Sequence, residues 1–276
     1  MDQVQYIIDF ALTEDIGPGD ITTDNLIDES QMGKGIILAK QKLIVCGADV
    51  VKKVFHTLDS NTKVKSFMKD GEIAESGDVM FEIEGTLRTL LKGERTALNF
   101  LQRLSGIATN TKSFVELMGD SKARLVDTRK ITPGLRVLEK YAVTVGGAYN
   151  HRTALYDGVM IKDNHIAVSG GIKKAVATVR EKISHLVKIE VEVSNMDELS
   201  EALEAKADVI MLDNMDLKQI KEAVAFVKGK AVLEVSGLVT KKNLKELSET
   251  GVDIISSGAL THQAQSVDIS MRIQNL

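Results

Sequence analysis

Short apolar runs alternate with amphipathic helical stretches through the second half of the chain, and this alternation limits the possible folds more than any other feature. The runs are RLVDT (124–128), GVMIKD (158–163), KIEVEV (188–193), DVIMLD (208–213), AVLEVS (231–236) and DIISSG (253–258). Apolar residues spaced at three and four mark helices near 134–145, 171–183, 196–205, 215–227 and 241–249. Parallel neighbours in a sheet need a crossover of this length, whereas antiparallel neighbours need only a tight turn, so the pattern predicts an α/β domain with a parallel sheet. Six such strands either wind into a barrel or lie in an open, doubly wound sheet. Periodicity does not separate the two.

The polar residues help. Nearly every run ends on a chemically capable side chain: Asp127, Lys162 with Asp163, Glu192, Asp213, Ser236 and Ser257. In βα barrels the C-terminal strand ends and the loops after them form the active face. Helix capping explains part of the series, since Asp213 and Ser236 stand just ahead of helical stretches, but it does not explain Lys162 or Glu192.

Upstream the rhythm is different. GIILA (35–39), LIVCG (43–47), KVKSF (63–67) and VMFEIEG (79–85) are β-rich and punctuated by Gly, Asp and Asn, which predicts a small sheet. Residues 4–12 and 50–58 read as helices, and 86–118 as a longer helical bridge broken at Gly93 and Gly106. The expected division is a first domain over 1–106, rejoined by residues 266–276, and a second over 107–265.

With 43% hydrophobic and 27% charged residues, the 276-residue chain has a globular composition. No run approaches the roughly 20 apolar residues that cross a bilayer. The opening MDQVQYIIDFALTED lacks the basic start and apolar stretch of a signal peptide. A single cysteine, Cys46, excludes an internal disulfide and a Cys-based zinc cage, which suits a reducing compartment, so the cytoplasm is the expected location. Lys and Arg number 35 against 39 Asp and Glu, a net charge of −4, which argues against nucleic acid as the main partner. No membrane partner is expected either. Between Arg95 and Lys162, however, eleven cationic residues face five acidic ones. Gathered into one cleft, those cations attract a small polyanion.

Arg129 and Lys130 directly follow the 124–128 run, with Pro133 at the expected start of the next helix, which puts both in a loop on the active face. The planar fork of Arg holds a carboxylate or phosphate through paired hydrogen bonds, and Lys adds a point charge. Asn150, His151 and Arg152 precede the next run and Lys162 ends it. Arg129, Arg152 and Lys162 thus come from separate loops that can converge on one ligand. His151 and His165 lack the Cys or closely spaced His partners of a zinc site and are read as ordinary polar contacts. Glu192 and Asp213 end consecutive strands, which predicts carboxylates side by side across one strand spacing. Hard oxygens there suit Mg²⁺ or ribose hydroxyls, the alternatives being a carboxylate pair with raised pKa or a salt bridge to lysine. Ser-Gly pairs in EVSGL (234–238) and SSGALTH (256–262) close the last two runs, where βα barrels often bind phosphate. Together these sites describe a ligand with a phosphate end, a ribose-and-metal middle and a carboxylate end: a phosphoribosyl donor beside an acidic acceptor.

The segments EDIGPGDITTD (14–24), GERTALNFLQRLSGIAT (93–109), DTRKITPGLRVLEKYAV (127–143), GGAYNHRTALYDGVMIKDNHI (146–166), IEVEV (189–193), IMLDN (210–214) and SSGALTH (256–262) resemble the quinolinate phosphoribosyltransferase family nearly end to end. The resemblance implies an N-terminal α/β sandwich domain, a C-terminal open α/β (TIM-like) barrel, and ribosyl transfer from phosphoribosyl pyrophosphate to quinolinate with loss of CO₂. It also implies Mg²⁺ as cofactor, and a homodimer or an assembly of dimers with shared active sites. By motif position, Arg129, Arg152 and Lys162 grip the quinolinate carboxylates, with Arg95 reaching in from the partner chain. Thr128, Lys130 and His151 line the same pocket. Glu192 and Asp213 hold ribose hydroxyls and magnesium, and Ser236, Gly237, Leu238, Ser257, Gly258, Ala259 and His262 surround the phosphate. Lys130, Lys162, Glu192 and Asp213 are the catalytic candidates. The chain departs from the family pattern at Leu238 and Ala148, where glycine is frequent. Two other readings share the same barrel: a molybdenum-transport-associated paralogue with another acceptor, and a non-catalytic phosphosugar-binding protein.

Overall fold

The computed structural model describes residues 2–275; Met1 and Leu276, the outermost residues of the expected terminal segments, lie outside it. Two compact units are present. The first runs to Lys112 and takes in 132–147 and the residues from Gln263 onward, and the second comprises 113–131 and 148–262. These limits differ from the expected 1–106 with 266–276 and 107–265, chiefly because residues 132–147 belong to the first unit.

In the first unit, α1 (Gln3–Ile16) starts at Asp2, whose carboxylate accepts from the Val4 and Gln5 amides. A short α2 (Ile21–Leu26), absent from the sequence reading, forms where Asp20 accepts from Thr22 and Thr23; this cap outweighs the poor helix propensity of the β-branched residues that follow. Then come β1 (Met32–Ala39), β2 (Leu43–Ile44), α3 (Ala48–Leu58), β3 (Lys63–Ser66), β4 (Ile73–Ala74), β5 (Val79–Thr86), α4 (Leu87–Met118, in this unit as far as Lys112) and α5 (Arg136–Val145). β3, β5 and β1 form an antiparallel sheet completed by the C-terminal strand Ile269–Asn275, which pairs along β1 from Gly33 opposite Asn275 to Ala39 opposite Ile269.

α4 is one helix of 32 residues, unbroken at Gly93 and Gly106. The two glycines serve close approach instead. A Cβ at 93 would lie 2.7 Å from the Phe55 ring, and one at 106 would lie 2.1 Å from the main-chain oxygen of Gln265. Another contact explains why α5 joins this unit. Fully buried Glu139 accepts from Arg103 Nε and Nη2 at 3.0 and 2.8 Å and from the Thr132 amide and hydroxyl at 3.1 and 2.8 Å, while Arg103 Nη1 donates to Ala264 O at 2.6 Å.

The second unit carries β6 (Arg124–Val126), β7 (Val159–Ile161), α6 (Asp163–Ser169), α7 (Ile172–Arg180), β8 (Ile189–Val193), α8 (Met196–Glu204), β9 (Val209–Asp213), α9 (Leu217–Val227), β10 (Val232–Ser236), α10 (Leu244–Ser248) and β11 (Ile254–Ser256). All six strands are parallel, in the order β6-β11-β10-β9-β8-β7. The order answers the question periodicity left open. A doubly wound sheet reverses direction near its middle; here the winding runs in one sense until the last strand lies against the first, as in a barrel. The barrel is open between β6 and β7, where the only main-chain bridge among the described residues pairs Val126 with Tyr149. Register places Glu190, Glu192, Met211, Asp213, Glu234 and Ser236 on one face of the sheet, while Val191, Val193, Leu212 and Val235 are buried on the other. No helix among the described residues is long and apolar enough to cross a membrane.

Candidate active site at the strand ends

Two strand-end groups escape the capping role. α9 is capped by Asp216, which accepts from the Gln219 amide at 2.8 Å, so Asp213 is not its cap; α10 begins at Asn243 without a side-chain cap, so Ser236 is not its cap. Glu192 and Asp213 are not level, contrary to expectation. Glu192 lies opposite Met211, while Asp213, two residues further along, lies opposite Ser236. The stagger of tilted barrel strands accounts for this offset. Asn214 fixes Asp213, donating from Nδ2 to its carboxylate at 2.8 Å, and its own amide bonds Ser236 O at 3.2 Å. Gly237 (φ 82°) packs on the same asparagine so closely that a Cβ would come within 2.2 Å of Asn214 Oδ1. Leu238 follows at φ 47°, with its side chain exposed.

The loop after β6 carries Thr128, Arg129 and Lys130, the last two exposed, with the Lys130 amide bonded to Thr128 Oγ1 at 3.0 Å. Lys130 reaches the next phosphate-loop candidate: its main-chain oxygen accepts from Thr261 Oγ1 at 2.7 Å, and its side chain lies across Gly258 beside His262. His262 Nδ1 contacts Gly258 O at 2.5 Å. Ser257 is differently employed. Its buried hydroxyl donates to Val239 O and accepts from the Ala259 amide, both at 3.3 Å, holding the turn rather than facing outward. Arg95 is exposed on α4, in the first unit.

Arg152 projects from the loop spanning the barrel opening, its Nη1 donating to Gly158 O at 2.9 Å. Burial, and then the neighbouring Arg129 guanidinium, push its pKa below the ordinary arginine value. Two of the three expected cations therefore share one field. Lys162, at the start of α6, pairs with Glu192, the partner that the salt-bridge alternative for this carboxylate required. α6 itself was not legible in the sequence; the Lys162 amide bonds His165 Nδ1 at 3.0 Å and the turn nucleates there.

Sequence reasoning missed Glu190 and Glu234. Both are buried, and their Oε2 atoms lie 3.2 and 3.3 Å from His151 Nε2. A carboxylate in the middle of a buried parallel strand was the available signal, in IEVEV and again in VLEVS. Among the described residues these three make the one group of metal-ligand type, and their spacing is that of hydrogen bonds. Burial resists charging the imidazole, but the two carboxylates overcome it and lift His151 to about 10. Burial, with the nearby Glu234 charge, also raises Glu190. His151 Nδ1 accepts the Arg152 amide at 2.7 Å, so the ring hydrogen of this tautomer lies on Nε2 and faces the two carboxylates, and the additional proton belongs to the ring and carboxylates as one coupled group. At neutral pH the cluster thus holds one proton more than the same groups hold in water.

Comparison with known proteins now decides the family. Residues 20–105 match the quinolinate phosphoribosyl transferase N-terminal domain and residues 107–272 match its C-terminal domain. The chain belongs to the quinolinate phosphoribosyl transferase family. Within it, a probable nicotinate-nucleotide pyrophosphorylase (carboxylating) from Bacillus subtilis is 44% identical over 98% of this chain and 93% of its own length. One of the same description from Methanocaldococcus jannaschii is 45% identical over 99% and 98%. The crystal structure of NadC from Streptococcus pyogenes superposes with a TM-score of 0.95 at 42% identity, covering 99% of this chain and 97% of that one.

Proposed function

We propose that this protein transfers the phosphoribosyl group of phosphoribosyl pyrophosphate to quinolinate and releases CO₂, pyrophosphate and nicotinate mononucleotide, a step of de novo NAD biosynthesis. The adjacency of the loops bearing Arg129 and Arg152, joined by the Val126–Tyr149 bridge and by the His151 amide on Asp127, carries this reading, since neighbouring cations in a chain with net charge −4 call for a multiply charged anion. The names borne by its relatives favour quinolinate over the acceptor of a molybdenum-transport paralogue, and catalysis over binding alone.

Arg129, Arg152 and Lys162 hold the acceptor carboxylates, with Arg95 supplied by the partner subunit of a homodimer, and Lys130 lies between acceptor and phosphate ends. Glu192 and Asp213 offer hard carboxylate oxygens suited to ribose hydroxyls and Mg²⁺. A Mg²⁺ held by Glu192 and Asp213 would supply positive charge to offset that of the departing pyrophosphate. Ser236, Gly237 and the 257–262 turn receive the 5′-phosphate. As pyrophosphate departs, C1 of the ribose gains positive character and the pyridine nitrogen attacks it. The pyridinium so formed stabilises the carbanion left when the C2 carboxylate departs as CO₂, and a proton from water then completes C2–H of the mononucleotide, so decarboxylation follows transfer. Positioning and fixed charge supply the catalysis, without a covalent nucleophile. We place the reaction in the cytoplasm, in keeping with the one buried, free thiol.

The test is direct: protein, quinolinate, donor and Mg²⁺ should yield CO₂ and the mononucleotide together. Arg129→Ala should lose at least about a hundredfold in kcat/KM, the scale set by mispositioning a reacting group. Absence of product from wild-type protein, or wild-type turnover in the variant, would overturn the reading.

A further inference from the structure

The gap between β6 and β7 has no strand ladder to close it, yet it carries Arg152. Three buried acidic residues from different strands fix this segment. Asp127, at the end of β6, accepts the His151 amide at 2.8 Å. Glu190 on β8 and Glu234 on β10 receive the His151 ring at Nε2. The opposite ring nitrogen, Nδ1, takes the Arg152 amide at 2.7 Å. Both ring nitrogens are thus occupied by protein, which argues against His151 acting as acid or base on a substrate and makes it a strut.

The strut has a definite reach. Glu190 and Glu234 stand on the same face of the sheet with β9 between them, and the His151 ring, arriving from the loop across the opening, meets both. Beyond His151, the Arg152 guanidinium is braced by Gly158 O and by a long contact to Met160 Sδ at 3.6 Å, and Met160 is itself the register partner of Glu190. A carboxylate lost from the barrel interior therefore loosens the main chain that aims Arg152.

We propose that Glu190 and Glu234 are positioning residues for the acceptor: they hold the His151 ring, the ring holds the main chain at Arg152, and the guanidinium is thereby aimed at the acceptor carboxylate. This rests on the assignment of Arg152 to quinolinate made above. Neither carboxylate touches the substrate, and their effect is confined to acceptor binding.

Steady-state kinetics of Glu190→Ala and Glu234→Ala, each substrate varied at saturation of the other, tests the proposal. The quinolinate KM should rise about tenfold or more while the donor KM stays within about twofold. Glu190→Gln, which keeps an acceptor oxygen for Nε2–H, should recover most of the loss. An unchanged quinolinate KM in folded protein, or an equal rise in both KM values, overturns the proposal. Arg152→Ala separates the two levels: if it leaves the quinolinate KM unchanged, the assignment of Arg152 has failed, whereas if it raises that KM and the glutamate variants do not, only the strut has failed. Should the glutamate-to-alanine variants not fold, an Arg152→Ala/His151→Asn cycle, which removes the ring itself, decides the matter. Effects on the quinolinate KM that add independently overturn the proposal, and effects that collapse in the double variant support it.

Discussion

Replacing Glu139 by alanine should be among the most damaging single changes in the first unit. The carboxylate is fully buried and accepts four hydrogen bonds, two from Arg103 and two from Thr132. Deleting it removes the acceptor of Arg103 Nε and Nη2, while Nη1 keeps its bond to Ala264 O. Breaking one partner of a buried pair costs about 3–5 kcal/mol, because the remaining charge, only 22% exposed here, loses that partner and regains little water. For a chain of this size each kcal/mol lowers Tm by about 2–4 °C, so a fall of about 6–20 °C is expected in calorimetry. Urea unfolding at neutral pH should show the same loss as a shift in midpoint at constant slope. An Arg103→Met/Glu139→Met double variant removes both charges and keeps volume, so it should recover well over half of the deficit. A Tm within about 2 °C of wild type for Glu139→Ala would refute the claim that this clasp holds α4, α5 and the segment at 264 together, as would a double variant worse than the sum of the singles.

Three further outcomes are expected. The His151 cluster holds an extra proton in the folded state, with the ring raised from 6.5 to about 10, so its stabilisation is complete below pH 6.5 and is lost as pH rises toward 10. Urea midpoints should fall across that window with a slope of at most about 1.4 kcal/mol per pH unit, and the fall should be shallower in Glu234→Gln; parallel profiles would contradict this. Gly237→Ala places a methyl 2.2 Å from Asn214 Oδ1 at a φ of 82°, and should raise the donor KM at least about tenfold while sparing that of quinolinate; equal effects on both would show that this loop does not serve the donor. Mixing inactive Arg95→Ala with inactive Lys162→Ala should restore about a quarter of the wild-type activity if subunits assort at random into dimers with shared sites, as symmetric pairing permits; confirmed mixed dimers without activity would exclude sharing.

What the sequence made legible follows from how many residues carry each signal. The alternation of strand and helix repeats from 124 to 258, and every strand of the barrel lies within its expected run. Single-residue signals were ambiguous. Glycine marks either a break or a close approach, and only the packing of Phe55 and Gln265 against α4 shows which applies at 93 and 106. Asp213 stood where a helix cap would stand, and the structure places that duty on Asp216. Glu190 and Glu234 stayed hidden because a lone glutamate in a strand reads as an outward-facing residue until register puts two of them on one face. The offset of Glu192 and Asp213 depends on strand stagger, which no local pattern encodes. By contrast Arg129, Arg152 and Lys162 could be chosen early, since a cation at a strand's end or in the loop beside it has few structural reasons to be there.

The pairing of β1 with the segment 269–275 gives the chain an unusual order of assembly. During synthesis β1 leaves the ribosome early, but its partner follows only after every strand of the barrel has been made. One margin of the N-terminal sheet therefore stands bare through most of translation, the condition in which extended chain recruits neighbours. The segment 269–275 thus completes a sheet whose other strands precede the barrel in sequence, and every barrel strand is made before that sheet is whole.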